Sequence, residues 1–85
     1  MAEDWKRWFR CKPHAREKFI LGGQREGYSV YRAGRYGWAS VVWSNGCAVR
    51  TDYWPDELQA VNYALGRAAR FSGFGKRAIR KAQRA

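Results

Sequence analysis

Residues 38–53, Trp38-Ala39-Ser40-Val41-Val42-Trp43-Ser44-Asn45-Gly46-Cys47-Ala48-Val49-Arg50-Thr51-Asp52-Tyr53, decide the fold. Two runs rich in β-branched and aromatic side chains flank Asn45-Gly46, a dipeptide that tolerates the positive φ of a two-residue hairpin turn. The pattern predicts an antiparallel pair, Trp38 to Ser44 against Cys47 to Tyr53. Working outward, Tyr28 to Arg32 repeats the same alternation and is joined to the hairpin by the turn sequence Ala33-Gly34-Arg35-Tyr36-Gly37, which predicts a third strand.

Downstream, Pro55, Asp56 and Glu57 suit the first turn of a helix. Leu58, Val61, Leu65 and Ala68 recur at helical spacing, which predicts a helix from 56 to about 70 that lays this stripe on the sheet. Gly73 and Gly75 interrupt it, and Lys76 to Ala85 reads as a short basic helix or arm. Upstream, Trp5, Trp8 and Phe9 predict a short amphipathic helix over Glu3 to Lys12, ended by Pro13. Residues 14–21 read as a further helical turn or two before Gly22-Gly23. The expected fold is α+β: an N-terminal helix, a three-stranded antiparallel sheet, a C-terminal helix packed on it, and a basic C-terminal extension. Residues 1–73 form one domain in this reading, and 74–85 the extension.

Strict alternation divides the sheet into two faces. Tyr28, Val30, Trp38, Ser40, Val42, Val49, Thr51 and Tyr53 form the better core face, under the helix. Ser29, Tyr31, Ala39, Val41, Trp43, Ala48, Arg50 and Asp52 form the other. There Tyr31, Val41 and Trp43 are either covered by the N-terminal helix or displayed as a binding surface.

The chain has 85 residues, 46% of them hydrophobic and 16% aromatic, enough apolar surface for one small domain and too little chain for a second core. Its net charge of +10 is unevenly spread, at +4 over residues 1–25, −1 over 26–65 and +7 over 66–85. A neutral middle with basic ends points to a polyanionic partner held by the C-terminal segment. Cys11 and Cys47 lack the neighbours of a zinc site and read as reduced, partly buried thiols. With no apolar run of membrane or signal-peptide type, a cytoplasmic protein without membrane insertion is expected. His14, the only histidine, has no serine or cysteine spaced for a dyad, and paired carboxylates are wanting. No enzyme, cofactor or metal is therefore expected.

The runs Tyr28 to Arg32, Gly37 to Val42, Asn45-Gly46 and Glu57 to Ala69 resemble the strands-plus-helix pattern of ethylene-responsive-factor domains and of the arm-site-binding domains of tyrosine integrases. That resemblance implies a sheet face laid in the major groove, with Tyr31, Trp43 and Arg50 as contacts and Arg32 and Arg35 on the edge or turn. The order helix, three strands, helix is also similar to double-stranded-RNA-binding domains, which bind by shape and phosphate contacts.

The function expected is a small basic nucleic-acid-binding protein, DNA ahead of RNA, acting mainly through phosphates. Its contacts are Arg32, Arg35, Arg50, Arg67, Arg70, Lys76, Arg77, Arg80, Lys81 and Arg84, with Tyr31 and Trp43 as aromatic contacts. The alternative is a phage- or mobile-element-type inhibitor or adaptor of the anti-CRISPR kind, docking on a host protein through Tyr31, Val41 and Trp43.

Overall fold

A computed structural model describes residues 10–71 and 74–84. Four strands form one antiparallel meander in the order β1 (Lys18–Gly22), β2 (Glu26–Arg32), β3 (Trp38–Ser44) and β4 (Cys47–Trp54), followed by the helices α1 (Glu57–Phe71) and α2 (Lys76–Arg84). The turn between β3 and β4 is the expected one, with φ of 54° at Asn45 and 86° at Gly46.

The sheet has four strands where three are expected, and β1 is the addition. The expectation of helical turns over residues 14–21, stopped by Gly22-Gly23, is corrected: residues 18–21 are strand, and Phe19, Ile20 and Leu21 are apolar in succession, a run without the period of either element. A bulge explains the run. Phe19 pairs with Ser29 and Leu21 with Tyr28, and the irregularity between them lets Ile20 and Leu21 both join the core beneath the helices while Phe19 packs on Trp43 behind the sheet. The expected N-terminal helix, with Trp5, Trp8 and Phe9, lies mostly outside the described residues. Its last part, Arg10 to Lys12, is not helical, and Arg10 bridges to Ala48 instead.

A second bulge corrects the assignment of faces. Trp43 pairs with Ala48 but Val42 pairs with Arg50, so Val49 is the extra residue and the alternation of β4 reverses beyond it. Opposed residues of an antiparallel pair project to one side. Arg50, Asp52 and Trp54 therefore share the helix side with Val42, Ser40 and Trp38, while Thr51 and Tyr53 join Val41 and Ala39 on the back.

On the helix side, α1 lies against the sheet through Ala60, Ala64, Leu65 and Ala68. The alanines at every fourth position turn the buried stripe away from Leu58, which stays exposed, and let the helix sit close to Tyr28 and Leu21. The C-terminal extension is α2, anchored in the same core by Ile79, with Ala82 and Phe74 packed against it. The Phe74 ring meets Tyr28 edge-on at 6.4 Å.

Behind the sheet, residues 10–17 form a strap. The Ala48 N–H donates to the Arg10 carbonyl at 2.7 Å, which brings Cys11 beside Cys47, and the two are joined in a disulfide. The expectation of two reduced thiols is thus corrected: the partners lie at a sequence separation of 36, and only the strap's path makes them neighbours. Gln24 Nε2 donates to the Cys11 carbonyl at 2.8 Å. The strap then turns at His14, where the Glu17 N–H donates to the His14 carbonyl and the His14 N–H donates to Glu17 Oε1, each at 2.9 Å.

Glu17 is the strap's anchor. Its side chain is 0% exposed, with Arg10 Nη2 2.8 Å from Oε1. Trp43 Nε1 donates to Oε2 at 2.9 Å, and the Ser29 hydroxyl donates to the same oxygen. The Arg10 guanidinium lies 5.3 Å from the Tyr31 ring centre and 5.2 Å from that of Trp43. A buried carboxylate is tolerated here because a cation and three donors compensate its missing hydration.

Candidate nucleic-acid interface

Nine residues of α2 carry four exposed cations that are described, Lys76, Arg77, Arg80 and Lys81, around one shallow depression. Their spacing places them on one arc of the helix, and Ile79 and Ala82 on the opposite arc face the core. The helix is thereby held with its basic side outward. No acidic residue occurs from position 58 to the end of the chain, so nothing in this segment neutralises the arc. The side chain of Arg84, also expected as a contact, lies outside the described residues.

The other expected contacts are scattered. Arg70 is exposed in the last turn of α1. Arg67 is half-buried, with Nη1 donating to the Tyr63 hydroxyl at 3.3 Å and its guanidinium 5.1 Å from the centre of Phe71. Arg50 faces the helix side and forks onto Asp52, with Nε to Oδ2 at 2.8 Å and Nη2 to Oδ1 at 3.2 Å. The bonds and charge of Asp52 hold the Arg50 guanidinium above its ordinary pKa. With its charge balanced and its side chain turned by the bulge, Arg50 does not sit with Tyr31 and Trp43. Trp43 itself is 1% exposed, so the expectation that it contacts a partner is corrected: its indole belongs to the core.

Arg32 and Tyr31 line one groove, although Arg32, opposite Trp38, leaves β2 on the helix side. At the end of β2, on the strap side, His14, Arg16, Tyr31, Arg32, Tyr36 and Tyr53 line an open groove. His14 stacks on Tyr31 with centres 4.4 Å apart and planes 11° from parallel. Tyr36 and Tyr53 stand at the rim, 64% and 52% exposed, with ring centres 5.5 Å apart. Arg35 lies 5.8 Å from the centre of the Tyr36 ring. Gly37, with φ of 84°, closes this turn in a place where a Cβ would meet the Trp54 carbonyl oxygen.

Sequence reasoning misses His14, Arg16, Tyr36 and Tyr53. Strict alternation puts Tyr53 in the core under the helix, and the bulge at Val49 undoes that. The signal available is the composition of the turn, in which Arg35-Tyr36 places a cation beside an aromatic at a position without a strand partner.

Burial holds the Tyr31 phenol above its ordinary pKa of 10.0, the neighbouring Tyr53 adds to the rise through its charge and a hydrogen bond, Glu17 adds a little, and Arg10 opposes it. Above pH 10 the unfolded chain gives up this proton while the folded chain keeps it, so the folded state binds more protons and stability falls as pH rises. Urea unfolding at pH 9 and pH 10.5 should show that fall, and Tyr31→Phe should lessen it by removing the phenol.

Among the described residues, no helix is long and apolar enough to cross a membrane. Comparison with family models, with curated proteins and with solved structures finds no match to the chain.

Proposed function

We propose that the protein binds nucleic acid, duplex DNA ahead of RNA, chiefly through phosphate contacts made by α2. The observation that carries this reading is the outward basic arc of Lys76, Arg77, Arg80 and Lys81 on a helix fixed to the core by Ile79. Two of these cations occupy the first turn, where no acid complements the positive end of the helix dipole. Such an arrangement is self-repelling until an anion arrives, and phosphates relieve it while releasing their counterions. Arg70, exposed in the last turn of α1, adds one further cation outside the arc. No enzymatic step and no cofactor is part of this reading.

Replacing Lys76, Arg77, Arg80 and Lys81 together by glutamine leaves the core side of α2 intact and removes only exposed charge. On duplex DNA the slope of log K against log salt should become shallower by about 0.9 for each phosphate no longer neutralised, up to ~3.6 for all four. An unchanged slope, in a variant whose thermal unfolding matches the parent, would remove α2 from the interface.

The host-protein reading depends on Tyr31, Val41 and Trp43 being displayed together. Val41 and Trp43 are buried, so that reading has no observation behind it.

A further inference from the structure

We propose that the groove at the end of β2 binds unpaired bases, which makes the protein a reader of single-stranded nucleic acid at a site separate from the phosphate-binding arc of α2. The inference rests on the nucleic-acid reading above and adds a ligand class that phosphate contacts alone do not specify.

Three features of the groove converge on it. Its aromatic rings are displayed: Tyr36 and Tyr53 stand more than half exposed at the rim, tilted 44° to one another, and among the described residues no other ring stacks on either. Flat π-faces next to cations are what successive bases stack on, without regard to sequence. The groove is also positive. Arg16 and Arg32 line it, Arg35 stands over the Tyr36 ring, and among the described residues no acidic side chain lines it. Glu17, the acid nearest in the strap, is buried and paired with Arg10.

The third feature is rigidity. His14 is held on Tyr31 by the strap's turn, and the Arg16 N–H donates to His14 Nδ1 at 3.1 Å. Tyr31 is bounded by the Arg10 guanidinium, 5.3 Å from its ring centre. A floor fixed in this way gives up little freedom on binding, which leaves more of the stacking energy for affinity. A duplex, by contrast, keeps its bases stacked on one another and offers no free base face, so its phosphates suit α2 better than this groove.

The occupant is therefore a single strand, with its bases on Tyr36 and Tyr53 and its phosphodiesters toward Arg16, Arg32 and Arg35. The test uses the full chain and fluorescent dT12, rU12 and a 12-base-pair DNA duplex, at one salt concentration near physiological. Tyr36→Ala and Tyr53→Ala should each weaken single-strand binding about tenfold, the scale of removing one base stack, and change duplex binding less than about twofold. Tyr36→Phe, which keeps the ring, should restore single-strand affinity to within about twofold of the parent. dT12 and rU12 share the stacking chemistry, and their comparison identifies which sugar the groove takes.

Single-strand affinity unchanged in both alanine variants would overturn the proposal, as would equal weakening on strand and duplex. So would a Phe variant as weak as the Ala variant. Failure here leaves the α2 reading standing if duplex binding persists with its salt slope, whereas absence of binding to all three probes removes both.

Discussion

Glu17→Ala should cost about 3 kcal/mol of folding stability, the lower end of the range for breaking a buried ion pair. Four groups converge on that carboxylate: the Arg10 guanidinium, the indole N–H of Trp43, the Ser29 hydroxyl and the His14 N–H. Alanine leaves the cation and the His14 amide without this acceptor, and it opens a hole beside Trp43. The lower end applies because the Arg10 side chain is 28% exposed and can turn toward water, and because Trp43 Nε1 keeps a second acceptor in Ser29 Oγ at 2.8 Å. Domains of this size have total stabilities on the order of 5–10 kcal/mol, so the change is a large fraction. It should appear as a fall of roughly 12–24 °C in thermal midpoint. Glu17→Gln keeps the shape and one acceptor and should cost less. A change below about 1 kcal/mol in the alanine variant would mean that Glu17 does not fasten the strap.

Opening the disulfide should have an effect of similar size. In the chain-entropy description, closing the loop across the sequence separation of 36 from Cys11 to Cys47 constrains the unfolded state by about 4 kcal/mol. Unfolding of the protein with and without a reductant, or of the Cys11→Ser and Cys47→Ser pair, measures it directly. The two effects should not add. Both fasten the same strap, so once the bond is open the strap can detach without unfolding the sheet, and Glu17→Ala should then cost less than in the oxidised protein. In a reducing cytoplasm, the setting expected from the sequence, the strap would rest on the Glu17 network alone.

What is legible in the sequence is what local chemistry decides. Asn45-Gly46 fixes its hairpin through backbone conformations available to few residues, and β3 has the limits its alternation predicts, Trp38–Ser44. The helix α1 follows from Pro55-Asp56-Glu57 and its apolar spacing, although Ala60, Ala64 and Ala68 rather than Leu58 form the buried face. The basic arc of α2 is legible for the same reason, since charge and helical spacing both survive any choice of partner.

What stays hidden depends on long-range pairing. A bulge costs one residue of register and leaves no mark in composition, so Val49 silently moves Arg50 to the helix side and Tyr53 into the groove. The strap is stabilised by Glu17, Arg10 and a disulfide, none of which has a periodic signature. In the sequence, Glu17 reads as one more surface acid. The groove is illegible because His14, Tyr31, Tyr36 and Tyr53 come from the strap, a strand, a turn and another strand.

The most direct measurement is a titration of the oxidised, intact protein against a fluorescent DNA duplex at two salt concentrations on either side of physiological. The four cations on α2 should give binding that weakens steeply with salt, with a slope of about −3 to −4 in log K against log salt. Absence of binding near physiological salt, or binding that salt does not weaken, would contradict a protein built to hold phosphates.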